Sequence, residues 1–192
     1  AKTNTPALLF LNDDVELVGE GSLQRLVSYL MLDPRIGAVG ARLLHDVLQG
    51  GGVQHDGVVT EQGWIARNSD CEIDGTGLGM PRNVSAVTGA SLLTRRECFD
   101  AVGGFDERFQ MSYNDVDYCL QLRANGYRVV QASDVEWVHR ESRTRGALDS
   151  DAKRDLLARE GHLMREKWGD FLDEKFRLIY HGRFTTTRII HV

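Results

Sequence analysis

The chain opens with an apolar run, a polar stop and an amphipathic segment, a pattern that predicts a strand followed by a helix. Ala7–Leu11 is almost wholly apolar and stops at Asn12-Asp13-Asp14, as a buried parallel strand does when it ends at a polar rim. From Leu23 to Met31 the apolar residues recur at helical spacing. Ser22 can cap this amphipathic helix, and Asp33-Pro34 ends it.

Strand character returns at Ile36–Leu44, so the opening unit is strand, helix, strand. A right-handed crossover between two such strands makes them parallel members of one sheet. The fold class that this unit predicts is α/β.

A glycine-rich stretch between His45 and Gly79 is predicted to be a surface excursion, with short antiparallel strands at residues 53–60 and 64–66. No internal repeat is evident, and we expect a single domain over residues 1–192. The next predicted element is a strand over 84–93, interrupted at Thr88-Gly89-Ala90. It is followed by a short helix, opened by a capping box of Thr94 and Glu97 and ended by Gly103 or Gly104. The remaining predicted elements are a helix over 116–124 with Asn114 as its cap, strands over 127–131 and 135–138, and a C-terminal helical region at about 149–180.

Composition narrows the class of protein. With 192 residues, 42% of them hydrophobic and 27% charged, the chain has the make-up of one globular domain. Its formal net charge of −5 argues against nucleic acid as a partner, because binding to phosphate backbones requires clustered Lys and Arg. No apolar run reaches the roughly 18 to 20 residues that span a bilayer, and no signal-peptide pattern is evident. We expect a cytoplasmic protein whose association with membranes is peripheral at most.

The first candidate for chemistry is Asn12-Asp13-Asp14, because carboxylates at the carboxyl edge of a parallel sheet lie where such sheets bind ligands. Mg²⁺ or Mn²⁺ shared between a carboxylate and a substrate diphosphate is a common arrangement for activating a phosphate leaving group. The alternative is a turn in which these side chains only make local hydrogen bonds.

A second acidic segment, Tyr113-Asn114-Asp115-Val116-Asp117, begins a predicted helix. Asn114 can cap this helix, and Asp115 and Asp117 can interact with its dipole. The same position would hold Asp115 as a general base on a rigid element. The structural and the catalytic interpretations are compatible.

His139 directly follows strand-like residues, within Trp137-Val138-His139-Arg140-Glu141-Ser142. A single histidine of this kind is commonly a surface or hydrogen-bonding residue. As a neutral imidazole, it can instead complete the coordination of a metal held by Asp14, and a mixed nitrogen and oxygen set favours Mn²⁺.

Other residues carry less specific signals. The cysteines are odd in number and widely spaced, which fits neither a disulfide framework nor a zinc site: Cys71, Cys98 and Cys119. Gly50-Gly51-Gly52 lacks the Lys and the Ser or Thr of a phosphate loop and predicts a flexible turn. A possible metal cluster lies in glycine-rich surroundings that favour a hairpin instead: His45, His55 and Asp56.

The order of these motifs resembles the family-2 glycosyltransferases with the A-type glycosyltransferase fold. The resemblance extends from about residue 7 to 170 and implies a partial A-type fold, with a mixed, mainly parallel sheet flanked by helices. Gly103-Gly104-Phe105-Asp106-Glu107, followed by the acidic helix start, is the most specific part. The motifs that carry it are Leu8-Leu9-Phe10-Leu11-Asn12-Asp13-Asp14-Val15-Glu16, Val87-Thr88-Gly89-Ala90, Gly103-Gly104-Phe105-Asp106-Glu107, Asn114-Asp115-Val116-Asp117 and His139.

The resemblance also implies roles for these residues. Asp14 looks like the ligand of a divalent metal, Mn or Mg, on the donor diphosphate, and His139 looks like an additional ligand of that metal. Asn12 and Asp13 would belong to the donor-diphosphate region, and Asp115 looks like the base that deprotonates the acceptor hydroxyl. The residues expected on the acceptor side are Thr88, Gly89, Ala90, Phe105, Asp106 and Asn114.

The function implied is transfer of a sugar, with inversion, from a nucleotide-sugar donor to a saccharide or lipid-linked saccharide. Asn12 and Asn114 depart from the family pattern, since these positions are often acidic. Relatives also carry an upstream segment that builds the nucleobase pocket, so we expect this chain to be part of a longer enzyme. The alternatives are a non-catalytic saccharide- or protein-binding module, and a metal-dependent nucleotide-sugar phosphohydrolase or nucleotidyltransferase.

Overall fold

The computed structural model describes residues 4–61, 64–68, 79–140 and 151–180. A short 3-10 turn is formed by Val47–Gln49. The helices are α1 (Ser22–Met31), α2 (Arg96–Ala101), α3 (Asn114–Ala124) and α4 (Asp151–Tyr180). The strands are β1 (Ala7–Leu11), β2 (Val15–Leu17), β3 (Ile36–Leu44), β4 (Val53–His55), β5 (Val58–Glu61), β6 (Trp64–Asn68), β7 (Arg82–Asn83), β8 (Ser91–Arg95) and β9 (Arg128–His139).

Seven of the strands form one mixed sheet. Its main order is β1-β8-β3-β9-β2, with β4 paired to β3 and β7 paired to β9. β3 and β9 are parallel neighbours, and β8 is antiparallel to both β1 and β3. β1, β3 and β9 therefore run in the same direction, and their carboxyl ends lie at one edge of the sheet. The predicted α/β class is confirmed.

The order of strands adds one detail to the predicted opening unit. β1, α1 and β3 do form a strand-helix-strand unit with strands in the same direction, but β8 is inserted between the two strands. β5 and β6 pair antiparallel in a separate two-stranded sheet, in agreement with the predicted excursion. The strand predicted over 53–60 is, however, divided into β4, which pairs with β3 in the large sheet, and β5.

Helices cover both faces of the large sheet, and each face has its own buried cluster. Consecutive residues of β3 alternate between them, since Ala38 packs in one cluster and Val39 in the other. The Val39 cluster contains Leu26 and Leu30 of α1. The Ala38 cluster contains residues of α2, α3 and α4. In the described ranges, no helix is both long enough and apolar enough to cross a bilayer.

The predicted caps of α1 and α2 are wrong. Gly21, in the left-handed conformation at φ 74°, occupies the cap position of α1, and the Ser22 hydroxyl accepts a hydrogen bond from Trp137 Nε1 at 3.1 Å. Thr94 is buried in β8, where its hydroxyl donates to the Gly37 carbonyl at 2.7 Å. The side chain of Thr94 is thus engaged within the sheet, and α2 has no capping box.

Helix α3 also starts differently from the prediction, because Asn114 is its first residue rather than its cap. Tyr113 takes the cap position, and the Asn114 Oδ1 accepts from the Asp115 N–H at 2.9 Å. The predicted stop holds, since Gly126 lies just past the helix with φ 84°.

Two further strand predictions need correction. Within the strand predicted over 84–93, only the part from Ser91 belongs to a strand, β8, while residues 84–90 form no strand and make one isolated bridge, between Ala86 and Val58. The strands predicted over 127–131 and 135–138 are one strand, β9. Its register shifts between Ala132 and Glu136, which pair with adjacent residues of β3, so residues 133–135 form an irregularity. Residues 141–150, which include Glu141 and Ser142, lie outside the described ranges, as does Cys71.

Candidate active site

A cavity of about 880 Å³ opens at the edge of the sheet where β1, β3 and β9 end. Ligand sites of open α/β sheets lie at this kind of edge. Its wall is formed by residues that follow β1 and β3, residues that precede β8, the end of β9 and the start of α3. The polar lining residues are Asn12, Asp13, Asp14, His45, Gln54, His55, Thr88, Ser112, Asn114, Asp115 and His139.

Asp14 and His139 meet in this cavity because β2 pairs with the end of β9. Val15 is the register partner of His139, and the Arg140 N–H donates to the Asp14 carbonyl at 3.0 Å. The Asp14 Oδ1 lies 3.1 Å from the His139 Nε2. Both side chains are largely buried, at 24% and 12% exposure. Strand pairing thus fixes the two predicted metal ligands side by side.

Gln54 orients the imidazole of His139. Its Oε1 lies 2.7 Å from the His139 Nδ1, and an amide oxygen can only accept a hydrogen bond. The Gln54 amide nitrogen is 3.5 Å from the His139 carbonyl. In a neutral ring the proton therefore lies on Nδ1, and the lone pair of Nε2 faces Asp14. Sequence analysis did not select Gln54, which reaches the site through pairing of β4 with β3.

The Asp14 and His139 pair fits a divalent metal. Two adjacent ligands of an octahedral ion with bonds of about 2.1 Å are about 3.0 Å apart, and the observed separation is 3.1 Å. The Nε2 lone pair and the carboxylate that it faces repel each other, and a cation bound between them would turn this repulsion into attraction. Among the described residues no cluster of three His, Cys, Asp or Glu side chains could hold a metal.

Asp115 is held at the start of α3 by two backbone donors. Its Oδ2 accepts from the Gly89 N–H at 2.7 Å, and its Oδ1 accepts from the Val116 N–H at 2.8 Å. Each carboxylate oxygen has a second lone pair, which leaves capacity for a further hydrogen-bond donor. A Cβ on Gly89 would lie 3.4 Å from the Asp115 Cβ, so the backbone passes close to this side chain.

The segment before β8 joins the two halves of the cavity. The Asn12 N–H donates to the Ala90 carbonyl at 3.2 Å, and the Thr88 hydroxyl accepts from the Ala90 N–H at 3.3 Å. Through Gly89, the same segment contacts Asp115. Residues 88–90 therefore connect the predicted diphosphate region with the predicted base.

Asp106 is the one predicted site residue that does not line the cavity. It accepts hydrogen bonds from Arg108, at 2.7 Å from Nη2, and from the Lys167 Nζ at 2.9 Å. Arg108, and then Lys167, hold the pKa of Asp106 well below its usual range, against a smaller opposing effect of burial. Phe105 does line the cavity, while its ring packs on Phe10 with centroids 4.8 Å apart.

The three other residues considered as a metal cluster divide into two groups. His45 and His55 line the cavity, and the His45 Nδ1 is 3.5 Å from the Gln54 amide nitrogen. Asp56 is instead buried in ion pairs with Arg42 at 3.1 Å and Arg82 at 2.9 Å. The hairpin interpretation is correct for the backbone, but it missed that this hairpin forms one side of the cavity.

Two solved structures share the architecture of the chain. GalNAc-T7, solved with UDP, GalNAc and Mn²⁺, matches 90% of this chain and 33% of its own, with a TM-score of 0.63 and 15% identity. The mannosyltransferase PcManGT from Pyrobaculum calidifontis, in complex with GDP-Man and Mn²⁺, matches 91% of this chain and 45% of its own. Its TM-score is 0.54 and its identity 16%. The chain has the A-type glycosyltransferase fold.

The chain belongs to glycosyltransferase-like family 2, whose model matches residues 1–160. It is 36% identical over 185 residues to the uncharacterised protein y4gI of Sinorhizobium fredii, a match that covers 92% of this chain and 20% of the relative. The O-antigen biosynthesis protein RfbC of Myxococcus xanthus is 40% identical over 147 residues, which cover 73% of this chain and 11% of that protein.

A shorter match involves the N-acetylglucosaminyl-diphospho-decaprenol L-rhamnosyltransferase of Mycobacterium tuberculosis. It is 38% identical over 65 residues, which cover 34% of this chain and 21% of the relative. The chain therefore spans about a fifth or less of the length of the curated relatives that it matches.

Proposed function

We propose that the chain carries the metal-binding and acceptor-binding side of an inverting, nucleotide-sugar-dependent glycosyltransferase. The observation that carries this proposal is the convergence of two groups on one cavity: the Asp14 and His139 pair, and the backbone-anchored carboxylate of Asp115. Membership of glycosyltransferase-like family 2 supports the same chemistry.

Asp115 acts as the general base in this proposal. Its carboxylate accepts the proton of an acceptor hydroxyl while the hydroxyl oxygen forms a bond to the anomeric carbon of the donor sugar. The bond from that carbon to the diphosphate oxygen breaks, and the nucleoside diphosphate leaves. A single displacement of this kind inverts the anomeric configuration. The two backbone N–H donors hold Asp115 in place for the proton transfer.

Asp14 and His139 would hold the divalent cation, and Gln54 orients His139 for that role. A cation bound there would offset the negative charge that develops on the departing diphosphate. Solved structures of the same fold contain Mn²⁺ with UDP or GDP-Man, which supports Mn²⁺ and a nucleotide-sugar donor. The name of the mycobacterial relative supports a saccharide or lipid-linked saccharide as the acceptor.

The decisive experiment compares Asp115→Asn with the wild-type, full-length protein. UDP-, GDP- and dTDP-sugars are offered with Mn²⁺ and octyl glycosides, and release of nucleoside diphosphate is followed with and without acceptor. Loss of the base should lower transfer by about 10²- to 10⁴-fold while Mn²⁺-dependent binding of the nucleoside diphosphate persists. Asp14→Ala should abolish that binding. NMR of the product reports the anomeric configuration.

Asp100→Asn is the matched control, since Asp100 is an exposed aspartate on α2, away from the cavity lining. Transfer that survives Asp115→Asn unchanged would remove Asp115 as the base. Release of nucleoside diphosphate that does not depend on acceptor would favour a phosphohydrolase. Absence of metal-dependent nucleotide binding in the wild type would favour a non-catalytic module.

A further inference from the structure

A buried carboxylate of α4 binds the loop that leads to Asp115. Glu160 is 2% exposed. Its Oε1 accepts from the N–H groups of Gln110 and Met111 at 2.7 and 2.9 Å, and its Oε2 accepts from the Ser112 N–H at 2.7 Å. Three consecutive main-chain donors thus converge on one side chain. None of these four residues takes part directly in the proposed reaction.

Only Tyr113 separates this contact from helix α3. Tyr113 has a left-handed backbone, with φ 64°, and it is the one non-glycine residue with positive φ in the described ranges. A side chain disfavours this conformation, so the surrounding contacts must maintain it. The Tyr113 carbonyl accepts the Asp117 N–H at 2.7 Å and starts the helix that carries Asp115. The backbone held by Glu160 therefore determines where α3 begins.

Helix α4 itself reaches the cavity. Leu157, one turn before Glu160, lines it together with Met111, Ser112 and Tyr113. Farther along α4, the Lys167 Nζ lies 2.7 Å from a carboxylate oxygen of Asp117, which belongs to α3. These contacts tie α4 to the loop and to the first turns of α3.

We propose that Glu160 is a positioning residue, which sets the place of Asp115 and of the acceptor-side wall by holding the backbone of residues 110–112. This inference rests on the proposed function, because it assigns Glu160 to the acceptor side of the same site. Asp14, His139 and Gln54 lie on the strands β2, β9 and β4 or just before them, and none of them contacts Glu160 in the described hydrogen bonds. A defect at Glu160 should therefore affect the transfer step and leave metal and nucleotide binding intact.

The substitution Glu160→Gln tests this role with little change in shape. It replaces one acceptor oxygen with an NH₂ group, which faces backbone donors and cannot accept from them. Glu166→Gln is the matched control, because Glu166 is an exposed residue of the same helix. The first measurement is amide hydrogen exchange, which requires no substrate. Glu160→Gln should raise exchange at residues 110–115 and leave β3 and β9 as protected as in the wild type.

The second measurement is turnover with the acceptor that the wild type uses best. Glu160→Gln should lower kcat by about 10- to 100-fold, as expected when a reacting group is displaced by about 1 Å. The affinity for Mn²⁺ with UDP or GDP should stay within about twofold of the control, since the metal pair lies outside the affected segment.

Three results would overturn the inference. Exchange at 110–115 equal to that of Glu166→Gln would show that Glu160 does not hold the loop. Increased exchange throughout β3 and β9 would show a general loss of stability instead of a local one. Local loosening with unchanged kcat would show that the loop does not position the base. Asp115→Asn separates the two proposals, because retained transfer in that variant would reject the proposed function itself.

Discussion

His139 is oriented by a neutral amide, not by a carboxylate. The Gln54 Oε1 accepts from Nδ1 at 2.7 Å and so directs Nε2 towards Asp14. A partner of this kind fixes the tautomer and the ring angle of a metal-binding imidazole without adding a negative charge. In the proposed metal site, the carboxylate of Asp14 then supplies the negative charge of the Asp14 and His139 pair.

Gln54→Leu should therefore weaken binding of Mn²⁺. Leu has a similar size but cannot accept the Nδ1 proton, so the imidazole loses its fixed orientation. We expect the affinity for Mn²⁺, measured by calorimetry in the presence of UDP or GDP, to fall about 10- to 100-fold. Gln54→Glu keeps an acceptor and should retain most of the affinity. Equal affinity of Gln54→Leu and the wild type would contradict this role.

The elements with continuous apolar sequence were predictable to the residue. β1 and β3 begin and end where the pattern placed them. β3 is the buried strand that such a run predicts. β1 is instead half-buried and antiparallel to β8, its neighbour in the described sheet, so its predicted burial between parallel strands is wrong. β9 was divided in the prediction because residues 132–134, Ala-Ser-Asp, interrupt its pattern. There the Ser133 hydroxyl donates to the Asp56 Oδ1 at 2.7 Å, a contact across 77 positions that no local pattern reveals.

The prediction of the helix ends was also limited by contacts that no local pattern reveals. Ser22 and Thr94 are residue types that commonly cap helices, but tertiary partners engage both hydroxyls. The cap positions of α1, α2 and α3 are occupied by Gly21, Arg95 and Tyr113 instead. Local preference identified where the helices lie, and packing decided which residue ends each one.

β3 crosses the segment before β8 so closely that one position has no room for a side chain. A Cβ at Gly40 would lie 2.6 Å from the Val87 Cβ and 3.2 Å from the Ser91 carbonyl oxygen. Gly40→Ala should lower the free energy of unfolding by about 1 to 3 kcal/mol, the usual effect of overpacking a core. Urea denaturation gives the value.

Val87→Ala in the same chain should recover part of the loss, because it removes the Val87 Cγ1, which a Cβ at Gly40 would approach to 2.7 Å. The recovery should be incomplete, because the Val87 Cβ, at 2.6 Å, remains. Gly169→Ala, in α4, is the control. A Cβ there meets nothing within 4 Å, and Ala is favoured over Gly in helices. An unaltered stability of Gly40→Ala would mean that the strand and the crossing segment separate at little cost.

For the molecule as a whole, the sequence predicted which residues line one site, but it did not predict which other residues hold them in place. All the predicted site residues except Asp106 line one cavity, while their roles stay predictions. Their order along the chain carried that information. Gln54 and Glu160 were missed, because they contact partners 85 and 50 positions away through side-chain geometry that no spacing rule encodes.

The attachment of α4 to the rest of the fold should weaken in acid. Arg108 and then Lys167 lower the pKa of Asp106, so its stabilising effect is complete above the unfolded-state pKa of about 3.9. It is lost as the pH falls towards the lower folded-state value. Asp106→Asn should reduce the free energy of unfolding by about 1 kcal/mol at pH 7, and the difference from the wild type should shrink between about pH 5 and 2.

Urea denaturation of both proteins at several pH values measures this difference, and Asp100→Asn on α2 controls for the loss of one negative charge. A difference that stays constant from neutral pH to pH 2 would contradict the assignment, because it would not depend on ionisation of Asp106.

Glu160 binds main-chain N–H groups, and this has a consequence for how the protein can evolve. Every residue type except proline offers such a donor, so the side chains at Gln110, Met111 and Ser112 are free to change while the backbone stays in place. Met111 and Ser112 line the cavity. Selection can therefore alter the chemistry of this part of the cavity wall by single substitutions without rebuilding the loop. If the proposed function holds, a mutant library at these positions would sample new acceptors on an intact scaffold.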